Sequence, residues 1–184
     1  MAIERVERLL RTITDSLDAA GIRYAVIGGN AVAAWVASKD ADATRATKDV
    51  DLLLERADLA RVEEAVRDAG FFLDTVGDVT VLLEKADPVP SRGVHILFAG
   101  EKVRSADLHP TPSLDASVFA EAGYRVVDLA NLLKMKLTAF RRHDQVHIED
   151  MIRVGLVTPD IRSQIPIDLL PRLEEIERSL PDWH

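Results

Sequence analysis

Residues 24–55 read YAVIGGNAVAAWVASKDADATRATKDVDLLLE, and the order of features in this run predicts the core of the fold. A short β-prone segment, Arg23 to Ile27, stops at Gly28-Gly29. Asn30 is placed to cap a second helix over 31–38, which is rich in Ala, nearly all apolar and therefore expected to be buried. Lys39 to Thr47 is polar and reads as a loop. A strand over 48–54 follows, with two acids two residues apart. Side chains on a strand alternate between faces, so Asp49 and Asp51 are expected on one side and Val50 and Leu52 on the other, in the core.

Each piece has a chemical use and a plainer alternative. Gly28 and Gly29 carry no Cβ and precede a helix start, whose unpaired N–H groups bear partial positive charge, so the turn suits phosphate. A strand followed by Gly-Gly is also an ordinary tight turn. Asp49 and Asp51 repel one another on a shared face unless a cation lies between them, and paired carboxylates are hard oxygen donors suited to Mg²⁺. The plainer alternative is a solvated edge strand. Arg45 and Lys48 stand just before the acids, where a fork and a point charge meet phosphate oxygens.

Outward from this run, Val6, Leu9, Leu10, Ile13 and Leu17 fall at helical spacing, predicting a helix over 3–20 ended by Gly21. Leu59, Val62 and Val66 mark another helix, closed by Gly70. Strands are expected at 71–75, 79–83 and 94–98, with strong turn chemistry at 87–93. Beyond Pro110 and Pro112 the pattern turns helical, with helices carrying Leu129 to Phe140, Ile148 to Ile152, and Leu169 to Ile176. The expectation is an α+β protein with a core over 1–118 and a helical C-terminal lobe over 119–184.

Composition narrows the chemistry. The 184 residues hold 23 Lys and Arg against 31 Asp and Glu, a net charge of −8, so there is no global field for gathering polyanions and strong non-specific nucleic-acid binding is not expected. The absence of cysteine excludes disulfides, thiolate metal sites and thiol nucleophiles. No run is long and apolar enough for a membrane span, and Glu4 and Glu7 interrupt what a signal peptide keeps apolar, so a cytoplasmic protein without a membrane partner is expected.

The same residues resemble the nucleotidyltransferase superfamily typified by DNA polymerase β, whose motif is hydrophobic-Gly-[Gly/Ser], a spacer, then Asp-hydrophobic-[Asp/Glu]. Gly28-Gly29 matches the first half and Asp49-Val50-Asp51 the second. The chain is more closely similar to small bacterial nucleotidyltransferase-like proteins related to abortive-infection toxins and antibiotic nucleotidyltransferases. Their Arg-x-[Ser/Thr]-x-Asp-x-Asp run appears here as Arg45 to Asp51, and their Lys-Leu-x-Ala helix as Lys136 to Ala139. The likeness spans most of residues 20–157.

The resemblance implies a mixed sheet flanked by helices and a Mg²⁺-dependent reaction. A nucleoside monophosphate moves from an NTP such as ATP to an acceptor (a small molecule, a protein or an RNA end), and pyrophosphate leaves. Asp49 and Asp51 would hold Mg²⁺, with a two-ion site open to them. Gly28, Gly29 and Asn30 would contact phosphate, Arg45 and Lys48 the triphosphate, and Lys136 the nucleotide. The superfamily usually carries a third acid on a later strand, often the base toward the acceptor. Here His95 stands in the matching strand, either as a base or as a half-buried hydrogen-bonding histidine; Asp74 and Glu84 lie on other candidate strands. The departure leaves open a second function, an inactive member that binds a nucleotide or a partner in a regulatory or toxin–antitoxin role. His143 and His147 are four apart, a spacing that also suits a metal pair on a helix, and most charges from Lys134 to Asp150 read as a solvated helix face.

Overall fold

The computed structural model describes residues 2–180. Helix α1 (Ala2–Ala19) buries the stripe Val6, Leu9, Leu10, Ile13 and Leu17, as the periodicity requires. Strand β1 (Tyr24–Ile27) is buried along its whole length and runs directly into α2 (Gly28–Ala37). Strand β2 (Val50–Leu54) and helix α3 (Leu59–Arg67) follow, with Val62 and Val66 of α3 facing the core. Then come β3 (Phe71–Val76), β4 (Val79–Glu84) and β5 (Val94–Phe98).

Two strands absent from the sequence reading, β6 (Ser117–Phe119) and β7 (Arg125–Val127), precede the helices. Three residues are too few to display an alternation, and β7 is recruited by pairing in parallel with β1, about a hundred residues earlier in the chain, which no local pattern reports. Helices α4 (Leu129–Ala139), α5 (Arg142–Arg153), α6 (Pro159–Ser163) and α7 (Leu170–Ser179) complete the chain. Among the described residues no helix is long and apolar enough to cross a membrane.

The result is α+β: seven strands form one mixed sheet in the order β3-β4-β5-β2-β1-β7-β6. The two central contacts position the site. β2 runs antiparallel to β1 with Asp51 opposite Ile27, and parallel to β5 with Asp51 beside His95. Val50, Leu52, Leu53 and Leu54 are buried, so a sheet covered by helices holds β2 in a single register.

One local expectation is corrected. Asn30 does not cap α2; the helix starts at Gly28, and Ile27 is the capping residue without a side-chain hydrogen bond. Gly28 takes φ +66°, a conformation costly to any residue with a Cβ, and this lets the chain turn from strand to helix with no spacer. Asn30 therefore lies in the first helical turn, buried, and its amide is used elsewhere.

Candidate active site

The site is assembled from the inside outward around Asp51, on the central strand. Its Oδ1 lies 3.3 Å from His95 Nδ1, across the parallel ladder. Its Oδ2 faces Gly28: a Cβ built on that glycine would lie 2.2 Å from Oδ2 and 3.1 Å from Cγ. A Cβ on Gly29 would lie 2.8 Å from Thr47 Oγ1. Both glycines are thus places where side chains of the acid-bearing segment press on bare backbone, which requires the missing Cβ more firmly than a turn alone does.

Asp49 is exposed at the entrance to β2. Its carbonyl accepts a 2.7 Å hydrogen bond from Asn30 Nδ2, so the buried amide of α2 fixes the backbone from which the first acid projects. Asp49, Asp51, His95, Gly28, Gly29 and Lys48 line one cavity of about 630 Å³. Its opposite wall comes from α4 and α5 and includes Lys136, Arg141, Asp144 and His147. A third wall is the segment between β5 and β6, tied down where the Thr111 hydroxyl donates to the Phe98 carbonyl and where His109 meets Asp168.

Charge is unevenly distributed across these walls. The hydrogen bond to Asp51 raises the His95 pKa above its ordinary 6.5; burial opposes the shift, and the charges of Asp51 and Asp49 add to it. Asp144 is fully buried, which alone would raise its pKa, but the Arg141 hydrogen bond and the Lys136 charge outweigh burial and hold it low. Lys136 Nζ donates to Asp144 Oδ1 at 2.9 Å and Arg141 Nε to Oδ2 at 2.7 Å. His147 is pushed down to about 4, first by burial and then by the Lys136 charge, so it is neutral near pH 7. Its Nδ1 and the Thr138 hydroxyl are buried without a hydrogen-bond partner among the described residues.

The structure gathers Gly28, Gly29, Lys48, Asp49, Asp51, His95 and Lys136 around the one cavity. Arg45 stands apart. It grips Asp150 of α5 with Nε at 2.6 Å and Nη2 at 3.1 Å, and it lines a second cavity of about 490 Å³ on the other side of the 44–47 segment. Asn30 lines that second cavity too. Neither Asp74 nor Glu84 reaches the site; Glu84 pairs with Arg8 at 2.7 Å, and Asp74 accepts from the Thr75 N–H. His143 and His147 pack edge to face with centroids 6.1 Å apart. No cluster of three His, Asp or Glu that could hold a metal occurs among the described residues. The donor set at Asp49 and Asp51 suits Mg²⁺ in a different way: two carboxylates at an open cavity leave room for the waters and phosphate oxygens that this ion keeps.

Sequence reasoning missed two contributors. Asp150 as the partner of Arg45 lies 105 residues away, and the 99–112 segment that walls the cavity has no periodic pattern. No family model and no curated protein matches the chain. Solved structures do. The antibiotic-resistance factor ANT(2'')-Ia superposes with a TM-score of 0.55 at 14% identity, over 97% of this chain and 94% of that one. An antigenic nucleotidyltransferase-like protein from Paracoccidioides brasiliensis superposes with a TM-score of 0.55 at 14% identity, over 100% of this chain and 96% of that one. With its strand order, its bare glycine turn and its acid-bearing central strand, the chain has the nucleotidyltransferase fold.

Proposed function

We propose that the protein transfers a nucleoside monophosphate from an NTP to an acceptor hydroxyl, in a Mg²⁺-dependent reaction that releases pyrophosphate. The observation that carries this reading is the placement of Asp51 between Gly28 and His95, with Asp49 at the entrance of the same cavity.

The acceptor oxygen bonds to the α-phosphorus, the bond from that phosphorus to the bridging oxygen breaks, and pyrophosphate leaves. Mg²⁺ bound by Asp49 and Asp51 would supply charge neutralisation at the transferred phosphoryl group. Gly28 and Gly29 border the cavity at the start of α2, where the unpaired N–H groups of the first helical turn would meet phosphate oxygens, and Lys48 adds a point charge beside them. Lys136 lines the helical wall with its ammonium bonded to Asp144, and from there it would face the nucleotide. A carboxylate oxygen only accepts, so the contact to Asp51 places a hydrogen on His95 Nδ1. The lone pair of the neutral ring is then on Nε2, which takes the acceptor's proton.

His95 in place of a third carboxylate favours one competing reading: a protein that binds nucleotide or a partner without turnover, in a regulatory or toxin–antitoxin role. One experiment separates the two. Each NTP is supplied with Mg²⁺ and candidate acceptors, and label transfer and pyrophosphate release are followed for the wild type and for Asp49→Asn/Asp51→Asn. Transfer by the wild type alone supports the enzyme. A rise in melting temperature with NTP and Mg²⁺, with no pyrophosphate released, supports binding without turnover.

A further inference from the structure

The turn between α4 and α5 holds a backbone outlier. Among the described residues Phe140 alone of the non-glycines has a positive φ, +49°, with ψ 30°. A left-handed backbone crowds the Cβ and is costly for a bulky side chain, and such residues persist only where their surroundings impose them. The turn is two residues long, Phe140 and Arg141, between the end of α4 at Ala139 and the start of α5 at Arg142. Its own carbonyl and N–H groups are spent on the two helices: the Phe140 N–H donates to the Lys136 carbonyl at 2.9 Å, and Gln145 Nε2 of α5 donates to the Phe140 carbonyl at 3.2 Å.

The constraint comes from a third helix. Arg172 stands in the first turn of α7, half-buried, and Leu173 and Ile176 anchor that helix in the core. Arg172 Nη1 donates to the Leu137 carbonyl at 2.7 Å and to the Thr138 carbonyl at 2.8 Å, two of the terminal carbonyls that α4 leaves unpaired. The guanidinium also lies 5.1 Å from the centroid of the Phe140 ring, and a cation is favoured at this negative end of the helix. One side chain thus grips the last turn of α4 and the strained residue that follows it.

The elbow so held carries the helical wall of the main cavity. Lys136, Thr138, Ala139, Arg141 and Asp144 all line it, and the buried bond between Lys136 and Asp144 reaches from one side of the elbow to the other. Arg172 lines neither cavity, so whatever it does there it does through the elbow. We propose that Arg172 is a positioning residue for nucleotide binding: by holding the left-handed turn at Phe140 it sets the angle between α4 and α5, and with it the face that this wall presents to the nucleotide. The proposal rests on the reading above that puts the nucleotide in this cavity.

The test measures KM and kcat for ATP, CTP, GTP and UTP in turn, with Mg²⁺, the candidate acceptors and the full chain, and the urea midpoint of each variant alongside. Arg172→Ala is expected to raise the NTP KM by about tenfold, or about 1.4 kcal/mol, with kcat unchanged. Arg172→Lys keeps the charge without the planar fork, and its KM is expected between the two. Glycine takes a positive φ freely, so Arg172→Ala/Phe140→Gly is expected to recover most of the lost affinity although its midpoint is lower. Arg162→Ala is the control, because it frees Glu174 and Glu177 of the same helix α7; it is expected to lower the midpoint and leave KM at the wild-type value. A KM unchanged in Arg172→Ala and Arg172→Lys overturns the proposal and leaves Arg172 a stabilising contact. An equal rise in Arg162→Ala, or no recovery on adding Phe140→Gly, overturns it too. If the wild type transfers nothing, the transfer reading fails by itself. Calorimetric binding of the four NTPs with Mg²⁺ then decides the role of Arg172: affinity lost in Arg172→Ala upholds it, and equal or undetectable affinity in both proteins overturns it.

Discussion

Gly28 and Asp51 share a space that only one of them can fill: at φ +66° the glycine leaves open the volume in which a Cβ would come within 2.2 Å of the Asp51 Oδ2. The second acid of the candidate site is therefore held in place partly by what its neighbour lacks. Replacement of Gly28 by Ala adds two penalties, a left-handed backbone worth about 1–2 kcal/mol and displacement of the carboxylate. Gly21→Ala is the matched control, because Gly21 has φ +62° and nothing within 4 Å of its Cβ position. Both variants are expected to lower the urea midpoint, Gly28→Ala by more, and only Gly28→Ala is expected to weaken divalent-cation binding.

Asn30 joins α2 to the backbone of Asp49 through a 2.7 Å hydrogen bond. Asn30→Ala removes the shorter of two hydrogen bonds to the Asp49 carbonyl, the other coming from the Thr47 hydroxyl at 3.4 Å, and is expected to cost about 0.5–1.5 kcal/mol. Chemical denaturation measures that cost. A cation titration is expected to show weaker binding, since the first acid loses its anchor; unchanged cation affinity would separate Asn30 from the site.

Lys136 and Asp144 form a pair in which the residues are 5% and 0% exposed. Asp144→Ala strands a buried ammonium and is expected to destabilise the fold by about 3–5 kcal/mol, the usual cost of breaking such a pair from one side. Lys136→Met/Asp144→Leu is expected to recover much of that stability in calorimetry while nucleotide affinity stays reduced.

The proton chemistry of His95 predicts a pH–rate profile. The base acts only when neutral, and its pKa is raised above 6.5 by the hydrogen bond to Asp51. The rate kcat/KM is expected to rise with pH and to level off once the imidazole is neutral. In His95→Asp, which restores a carboxylate at the position, the rise is expected to move to lower pH. A profile that does not differ between wild type and variant would show that His95 is not the base.

His147 predicts a different pH dependence, in stability. Its pKa is depressed to about 4, from an ordinary value of 6.5. Between those two values the unfolded chain binds a proton that the folded chain refuses, so stability falls as the pH drops through that window. Thermal unfolding monitored from pH 7 to pH 4 is expected to show this loss, and a shallower slope in His147→Phe.

The sequence was most legible where the interactions are local. Alternation along the second strand buried Val50 and Leu52 and left Asp51 lining the cavity, whereas the strand starts at Val50, two residues later than its pattern suggests, and Asp49 lines the cavity from just before it. The apolar stripe of α1 and the glycine turn were equally readable, because each rests on neighbours within a few residues. The other decisions were made by partners far apart in the chain. His95 meets Asp51 only because β5 pairs in parallel with β2, Asn30 bonds Asp49 in place of capping its helix, and Arg45 reaches Asp150 instead of the cavity that holds the acids. Strands β6 and β7 exist because β1 leaves an edge for them. A residue's own periodicity decides which face it turns, whereas strand order and register, set by burial across the whole core, decide what that face meets.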